Sequence, residues 1–276
     1  MKSLQLISED QRLHGAVRRA LAEDEYRVWW APNAETGIEL LGELPVDLVI
    51  AEYITPEPGE QNVIESLRSA QPKLKLLLTI EHGTPEIVLK ALRARVCDFL
   101  ISPFTPDDLR AAIDSAISKC PAQDIEVVSA QPEWVELCVP CDRTAFKPLH
   151  KLLDELDIDV QPELAEAIKF AFSEMLGNAI EHGGNSDPGK RVTVNILRLK
   201  HAVICRIKDP GAGFDPARLE HAAVNNPADD PLHHGGIREQ NGLRPGGFGI
   251  LLTKQLVDDL IYNERHNELM FVRFLS

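Results

Sequence analysis

A chain of 276 residues with 44% hydrophobic and 26% charged side chains is long enough for two domains, each with its own packed core. With 43 acidic against 29 basic residues, its net charge of -14 repels nucleic acid and anionic membranes on average, and no run of Lys and Arg supplies a local exception. No apolar run approaches the roughly 18 residues of a membrane span, and nothing reads as a secretory leader, so a cytoplasmic protein is expected.

The five cysteines, Cys97, Cys120, Cys138, Cys141 and Cys205, are scattered and odd in number, and are expected to be reduced thiols. Cys138-Val-Pro-Cys141 is a CxxC. It has no second pair and no helix start to lower a thiol pKa, which argues against a metal or redox role.

Over residues 1 to about 120, strand and helix patterns alternate five times. Leu4 to Ile7 is a strand and Gln11 to Glu23 a helix. Tyr26 to Trp30 is a strand, followed by a helix from an Asn33 cap to Leu44. Val46 to Ala51 is a buried strand, then Glu60 to Ala70 a helix. Leu74 to Ile80 is an apolar strand, and Thr84-Pro85 opens a helix to Arg95. Cys97 to Ile101 is the fifth strand, and Thr105-Pro-Asp-Asp108 caps the last helix. Such alternation with short turns gives an α/β fold with a parallel sheet covered on both faces. Its working site lies at the carboxyl ends of the strands, which carry Ser8-Glu9-Asp10, Glu52, Thr79 and Ser102-Pro103.

The run Asp47-Leu-Val-Ile-Ala-Glu52-Tyr-Ile-Thr-Pro56, with Phe99-Leu-Ile-Ser-Pro-Phe104, resembles the receiver domain of two-component response regulators over residues 1–119. The resemblance implies a flavodoxin-like, doubly wound sheet and a phosphoacceptor pocket built from Glu9, Asp10, Glu52, Thr79 and Ser102. That pocket is degenerate. Glu52 stands where the family has its phosphoacceptor aspartate, Ser102 replaces its lysine, and Ser8 replaces the first metal-binding acid. A glutamate without the lysine that neutralises developing charge is a poor acyl-phosphate former, so a pseudo-receiver held in one state is expected.

Residues 120–124, around Cys120-Pro121, break the pattern and read as a linker to a second domain at 125–276. Ile125 to Val139 is extended with a turn near Ala130-Gln-Pro132, Arg143 to Leu156 is helical, and Pro162 opens a long helix. Along it Leu164, Ile168, Phe172, Met175 and Ala179 recur at three- and four-residue steps and mark a buried face. Glu174 and Asn178 share another face, which Glu181 and His182 extend. A carboxylate and a carboxamide so placed can hold a divalent cation and a hydroxyl beside it. Arg191 to Leu199 and Ala202 to Lys208 form a hairpin ending in Asp209-Pro-Gly211-Ala-Gly213-Phe214. Two glycines after a strand-end aspartate let backbone approach a flat ligand while the carboxylate accepts from an amino group. About 25 polar residues, His221 to Pro245, read as a lid. Then Arg244-Pro-Gly-Gly247-Phe-Gly249 presents backbone N–H groups at the start of a helix from Ile250 to Asp258. Leu260–Tyr262 and Leu269–Leu275 are the last strands. Strands and helices without strict alternation give an α+β two-layer sandwich.

In this order and spacing the motifs resemble the GHKL (Bergerat) ATPase fold, and most of all its anti-sigma-factor serine kinase branch. Glu174-x-x-x-Asn178-Ala-x-Glu-His182 is similar to the N-box, and Asp209-x-Gly-x-Gly213 and Gly247-Phe-Gly249 to the two glycine boxes. The resemblance implies ATP and Mg²⁺. Asn178 would coordinate the metal, Glu174 would be the general base, and Asp209 would read the adenine amino group in a pocket shaped by Gly211 and Gly213. Gly247 and Gly249 would cradle phosphate, and Arg244 would neutralise the terminal phosphate. The Gly-Thr that often assists adenine binding is absent; His266-Asn-Glu-Leu-Met-Phe271 stands in its place.

The function implied is an ATP-dependent protein-serine kinase that binds a sigma factor or a STAS-type antagonist, with no nucleic acid or membrane partner and with a homodimer as one possible assembly. A partner-sequestering module that binds ATP without transfer is the alternative. A histidine-kinase catalytic core is a weaker one, because the linker has no room for a dimerisation hairpin. His150, on a helix, is read as a surface residue, and His182 is weighed as a ligand contact against a capping or packed histidine.

Overall fold

The computed structural model describes all residues except 22–24, 57–60, 121, 123, 132, 157–159, 216–222, 224–229, 231–232, 234–246 and 276. It divides into two compact units, Met1–Glu126 and Val127–Ser276.

In the first unit each helix begins where the chain supplies its own cap. Asn33, Asn62 and Thr84 accept from Thr36, Glu65 and Ile87 backbone N–H groups, while Thr105 and Asp108 form a reciprocal capping box. These caps set β1 (Lys2–Ile7), α1 (Gln11–Ala20), β2 (Tyr26–Ala31), α2 (Ala34–Glu43), β3 (Leu48–Tyr53), α3 (Val63–Ala70), β4 (Leu76–Ile80), α4 (Pro85–Arg93), β5 (Asp98–Ile101) and α5 (Pro106–Ser118). The third strand runs two residues later than its apolar run predicts, and α3 starts at Val63 because Asn62 caps it.

The sheet order is β2-β1-β3-β4-β5, with every neighbour parallel. The connection reverses between β1 and β3, so the carboxyl ends of these two strands form the switch-point crevice. The flavodoxin-like α/β expectation holds. Leu4, Leu6, Leu48, Ile50 and Leu77 of the sheet pack against Leu13, Val17, Leu109 and Ile113 of α1 and α5.

Two features depart from the sequence reading. Cys97 and Cys120 are joined in a disulfide, because the start of β5 and the end of α5 bring their Cα atoms to 3.9 Å; the expectation of five reduced thiols fails at this pair. Residues 120–124, read as a linker, include Cys120 and Ala122, both buried, and the Ala122 N–H donates to the Cys97 carbonyl.

In the second unit β6 (Glu126–Gln131), β7 (Trp134–Pro140), β8 (Arg191–Leu199), β9 (Ala202–Lys208), β10 (Asp259–Tyr262) and β11 (Glu268–Phe274) form one sheet in the order β10-β11-β9-β8-β7-β6. The pairs β7/β8, β8/β9, β9/β11 and β10/β11 are antiparallel. Alternate residues of these strands are buried: Leu137 and Val139, Val194 and Ile196, Cys205 and Ile207, Leu269 and Phe271. A single-turn 3₁₀ segment, Arg143–Ala145, leads into α6 (Phe146–Leu156), which packs on α7 (Pro162–Asn178). Ile168, Phe172, Met175 and Ala179 are buried as the helical spacing predicts, together with Ala167, Ala171, Leu176 and Ile180. Leu164, placed on the same face, is only half-buried. α8 (Gly249–Leu256) packs against α7. A sheet with helices packed against it gives the α+β two-layer sandwich.

Arg68 ties together several backbone carbonyls of the first unit. Its guanidinium donates to the carbonyls of Ala94, Leu74, Pro72 and Arg95 at 2.6–3.1 Å, and burial lowers its pKa. Arg68→Ala leaves these acceptors without their donor. It is expected to cost about 1–3 kcal/mol, read as a lower urea midpoint for the first unit at unchanged m-value.

Candidate functional site

Helix α7 carries the two polar residues of the N-box on one face, and α8 crosses beside them. The Glu174 carboxylate lies so close to Gly249 that a Cβ there would overlap its Oε2. Gly249 is the first residue of α8. The preceding Phe248 gives the helix no side-chain capping bond, and Gly247 before it has a φ of +93°. An uncapped helix start holds several N–H groups with a favourable field for an anion. Glu174, Gly247 and Gly249 are therefore brought together, as their motifs imply.

Past Asn178 the helix widens into a π-turn, Ala179–Gly183, closed by the Gly184 N–H donating to the Ala179 carbonyl at 2.8 Å. Such a turn inserts one extra residue and commonly marks a functional segment. Here it sets the backbone of Gly183 directly against the Asp209 side chain, where a Cβ would collide with the carboxylate. On the other side, a Cβ at Gly211 would stand 2.8 Å from Asp209 Oδ1 and 2.9 Å from the Gly183 carbonyl oxygen. The Gly211 N–H donates to Asp209 Oδ1 at 2.7 Å. Gly213 takes a φ of +89° and lies against the Arg265 carbonyl, leaving no room for a side chain.

Asp209 is thus half-buried in a cage of backbone. Burial raises its pKa above the ordinary 3.8, with the Gly211 N–H pulling partly the other way. A carboxylate oxygen keeps acceptor capacity after one such bond, so the cage suits an exocyclic amino donor. Nine residues of α7 and its π-turn separate Glu174 from Gly183, a span of about 13 Å at helical rise. The two ends of this span are therefore a carboxylate caged by glycine backbone and an uncapped helix start, with Asn178 between them in sequence.

These features fit a nucleoside triphosphate with Mg²⁺. Asp209, Gly211 and Gly213 would hold the base, and Gly247 and Gly249 the phosphates. Asn178 would be the protein ligand to the metal, since Mg²⁺ in such sites takes one or two protein oxygens and completes its shell with phosphate and water. Arg244 and nearly all of the expected lid lie outside the described residues.

Three features escaped the sequence reading. Gly183 is one; the Gly183-Gly184 pair directly after the N-box helix was the signal. Asn267 is another: its backbone carbonyl accepts the Asp209 N–H at 3.0 Å, and its Nδ2 donates to the Gly211 carbonyl at 3.2 Å. The third is the aromatic group formed by Phe214, Tyr262 and His266, with ring centroids 5.3–5.9 Å apart, in which burial pushes the Tyr262 hydroxyl up to about 12.

Other singled-out residues go elsewhere. Glu181 pairs with Arg143 at 2.9 Å, and His182 is exposed. His150 is not a surface residue. It is half-buried between α6 and α7, its Nε2 lies 2.7 Å from Ser173 Oγ, and burial lowers its pKa. Ser173 Oγ donates to the Lys169 carbonyl, so the imidazole is the donor to Ser173. Cys141 is buried, and burial raises its thiol pKa, the opposite of an activated cysteine.

The crevice of the first unit has redirected its acids. The Ser8 hydroxyl donates to Glu52 Oε2 at 2.5 Å and also accepts the Asp10 N–H at 2.9 Å. Asp10 caps α1, accepting from the Arg12 N–H and pairing with its side chain, and the Arg12 N–H lowers its pKa. Trp30 Nε1 and His14 Nε2 both contact the Ser8 carbonyl, at 2.8 and 3.1 Å. Glu9 is exposed. Thr79 neighbours Glu52 across β3 and β4, and its hydroxyl is buried without a hydrogen-bond partner among the described residues. Ser102 precedes Pro103 through a cis peptide, and its short hydroxyl carries no charge towards Glu52. Among the described residues no three His, Cys, Asp or Glu side chains converge as metal ligands. This donor set does not fit the metal that a phosphoryl-accepting crevice requires.

Comparison with known proteins divides the chain at the same place. The model of the response regulator receiver domain matches residues 5–114, and that of the histidine kinase-like ATPase domain matches 142–274. Protein PetR of Rhodobacter capsulatus is 26% identical over 134 residues, covering 49% of this chain and 54% of PetR. The transcriptional regulatory protein CusR of Escherichia coli is 30% identical over 122 residues, covering 44% of this chain and 54% of CusR. The chain spans about half or less of the length of these and other curated relatives, 28% in the case of GlrR of Escherichia coli. A response regulator structure from Thermotoga maritima covers 43% of this chain and 99% of its own at 23% identity, with a TM-score of 0.39. Among the described residues no helix is long and apolar enough to cross a membrane. The chain is a signal-transduction protein that joins a response regulator receiver domain to a histidine kinase-like ATPase domain.

Proposed function

We propose that the chain is a cytoplasmic, ATP-dependent protein-serine kinase of the anti-sigma-factor type, docked or regulated through a receiver domain that no longer takes up phosphate. The observation that carries this reading is the pairing of two sites along the C-terminal end of α7 and its π-turn: Asp209 in its glycine cage against Gly183, and Glu174 against the uncapped start of α8. Asp209 binds and orients the purine. Glu174 stands where the attacking hydroxyl of a target serine must lose its proton, and a carboxylate there is a general base. Mg²⁺, when bound through Asn178, offsets phosphate charge. The partner is a STAS-type antagonist or a sigma factor, and a homodimer is one assembly in which it would act. A histidine-kinase core remains the weaker reading; it predicts an acid-labile phosphohistidine on this chain or on a partner.

The receiver serves as a fixed docking element. The Ser8 hydroxyl already engages the Glu52 carboxylate at 2.5 Å, a bond that a metal or a phosphoryl group on Glu52 would have to displace. With acetyl phosphate and Mg²⁺ the wild-type protein is expected to take up no phosphoryl group by mass, and the fluorescence of Trp30 to stay unchanged. Incorporation on Glu52 would overturn this.

Calorimetry with ATP and Mg²⁺ should give binding that weakens about tenfold or more in Asn178→Ala and in Asp209→Ala, the scale of one lost charged hydrogen bond. An isotherm unaltered in both removes the site. Affinity should fall on acidification, because a protonated Asp209 is neutral, accepts more weakly and carries a donor of its own. Its pKa is raised, so the loss begins above the ordinary 3.8. The same sign means that Asp209 itself contributes less stability as pH rises through that window.

Incubation with ATP and a STAS-type antagonist should yield phosphoserine on the antagonist, reduced about 10²–10⁴-fold in Glu174→Ala. Tight ATP binding with no transfer under these conditions would establish the partner-sequestering alternative instead.

A further inference from the structure

The turn between β10 and β11 holds the Asp209 loop from outside the glycine motif. We infer that Asn267, clamped by Asn263, is a positioning residue for adenine recognition: it fixes the Asp209 loop so that the carboxylate faces the amino group of the base. The inference rests on the ATP site proposed above and assigns its base selectivity.

Five hydrogen bonds form a closed set. The Asp209 N–H donates to the Asn267 carbonyl at 3.0 Å. The Asn267 Nδ2 donates to the Gly211 carbonyl at 3.2 Å, and the Gly211 N–H returns to Asp209 Oδ1 at 2.7 Å. Asn267 is itself held at both ends by Asn263, whose Oδ1 accepts the Asn267 N–H at 3.1 Å and whose Nδ2 donates to Asn267 Oδ1 at 2.9 Å. Reversing the Asn267 amide would set oxygen against the Gly211 carbonyl and nitrogen against the Asn263 amide nitrogen, so the orientation is fixed by its neighbours.

The same turn reaches the loop twice more. The Arg265 carbonyl lies against Gly213, and the rings of Tyr262 and His266 meet Phe214. His266 sits at a φ of +57°, just before the chain enters β11, whose first residue, Glu268, pairs with Lys208 of β9. Every group that orients the Asp209 carboxylate is thus supported from this turn or from Gly183. None of these bonds involves Glu174 or α8; this segment reaches α7 through the Tyr262 hydroxyl, 3.7 Å from Met175 Sδ. The consequence is specific: loss of Asn267 should cost recognition of the base without costing recognition of the phosphates.

The test compares ATP with inosine triphosphate, which carries an oxygen where adenine has its amino group, in the full chain with Mg²⁺. The variants are Asn267→Asp, which keeps the shape and removes the donor, Asn267→Ala, and Asn263→Ala. A thermal melt of each confirms folding. Wild type should prefer ATP. Asn267→Asp and Asn267→Ala should bind ATP about tenfold more weakly and inosine triphosphate within twofold of wild type, so the ratio collapses. Asn263→Ala should fall between, and it carries the test if the Asn267 variants do not fold. A folded variant whose two affinities fall together, or whose ratio stays at the wild-type value, overturns the inference. Asp209→Ala separates the two readings. If it abolishes the preference while the Asn267 variants retain it, only the positioning role fails. If wild type shows no preference for ATP, the adenine site and this inference fail together.

Discussion

Everything at the nucleotide end of the second domain depends on a close approach between two backbones with one carboxylate between them. Gly183, Asp209 and Gly211 occupy a volume in which no second side chain fits. The π-turn after α7 delivers Gly183 to that place, and the β9–β11 register delivers Asp209. Holding a carboxylate half-buried costs solvation, which the Gly211 N–H offsets in part. The cage is stable because the apolar side of α7, with Phe172 and Met175 fully buried, fixes the helix on the sheet. A small slip of that packing would drive Gly183 into Asp209.

The two domains handle acidic residues in opposite ways. In the ATPase domain Asp209 and Glu174 are kept at the surface of a cleft, supported by glycines. In the receiver the acids have been turned into structure: Asp10 caps a helix and pairs with Arg12, and Glu52 takes a hydroxyl from Ser8. A serine in place of an acid converts what was mutual repulsion across the crevice into a short hydrogen bond. With Ser8 at this position the crevice holds less of the charge density that attracts a metal. The crevice keeps the switch-point geometry of its fold while its chemistry is spent on holding β1, β3 and α1 together.

Much of this was legible in the chain. The capping residues Asn33, Thr84 and Thr105 marked helix starts because their side chains bond to backbone two or three residues away. The alternating strand pattern sorted the second sheet into buried and open faces for the same local reason. What could not be read were contacts that span the sequence. His150 meets Ser173 only because α6 packs on α7, and Cys97 meets Cys120 only because β5 and the end of α5 converge. Arg68, Lys73, Arg93 and Arg95 show no basic run in the sequence, yet they line one cavity of about 660 Å³.

The glycine boxes and the N-box were determined by the sequence alone, because each is a short motif whose spacing and local backbone needs are written within a few residues. Tertiary structure decided which of those residues face one another. It set Gly183, at the end of the π-turn, against Asp209, and left His182 exposed. It also gave Asn267 its place, because an amide in the β10–β11 turn reaches the Gly211 carbonyl at 3.2 Å only once β9 and β11 are paired.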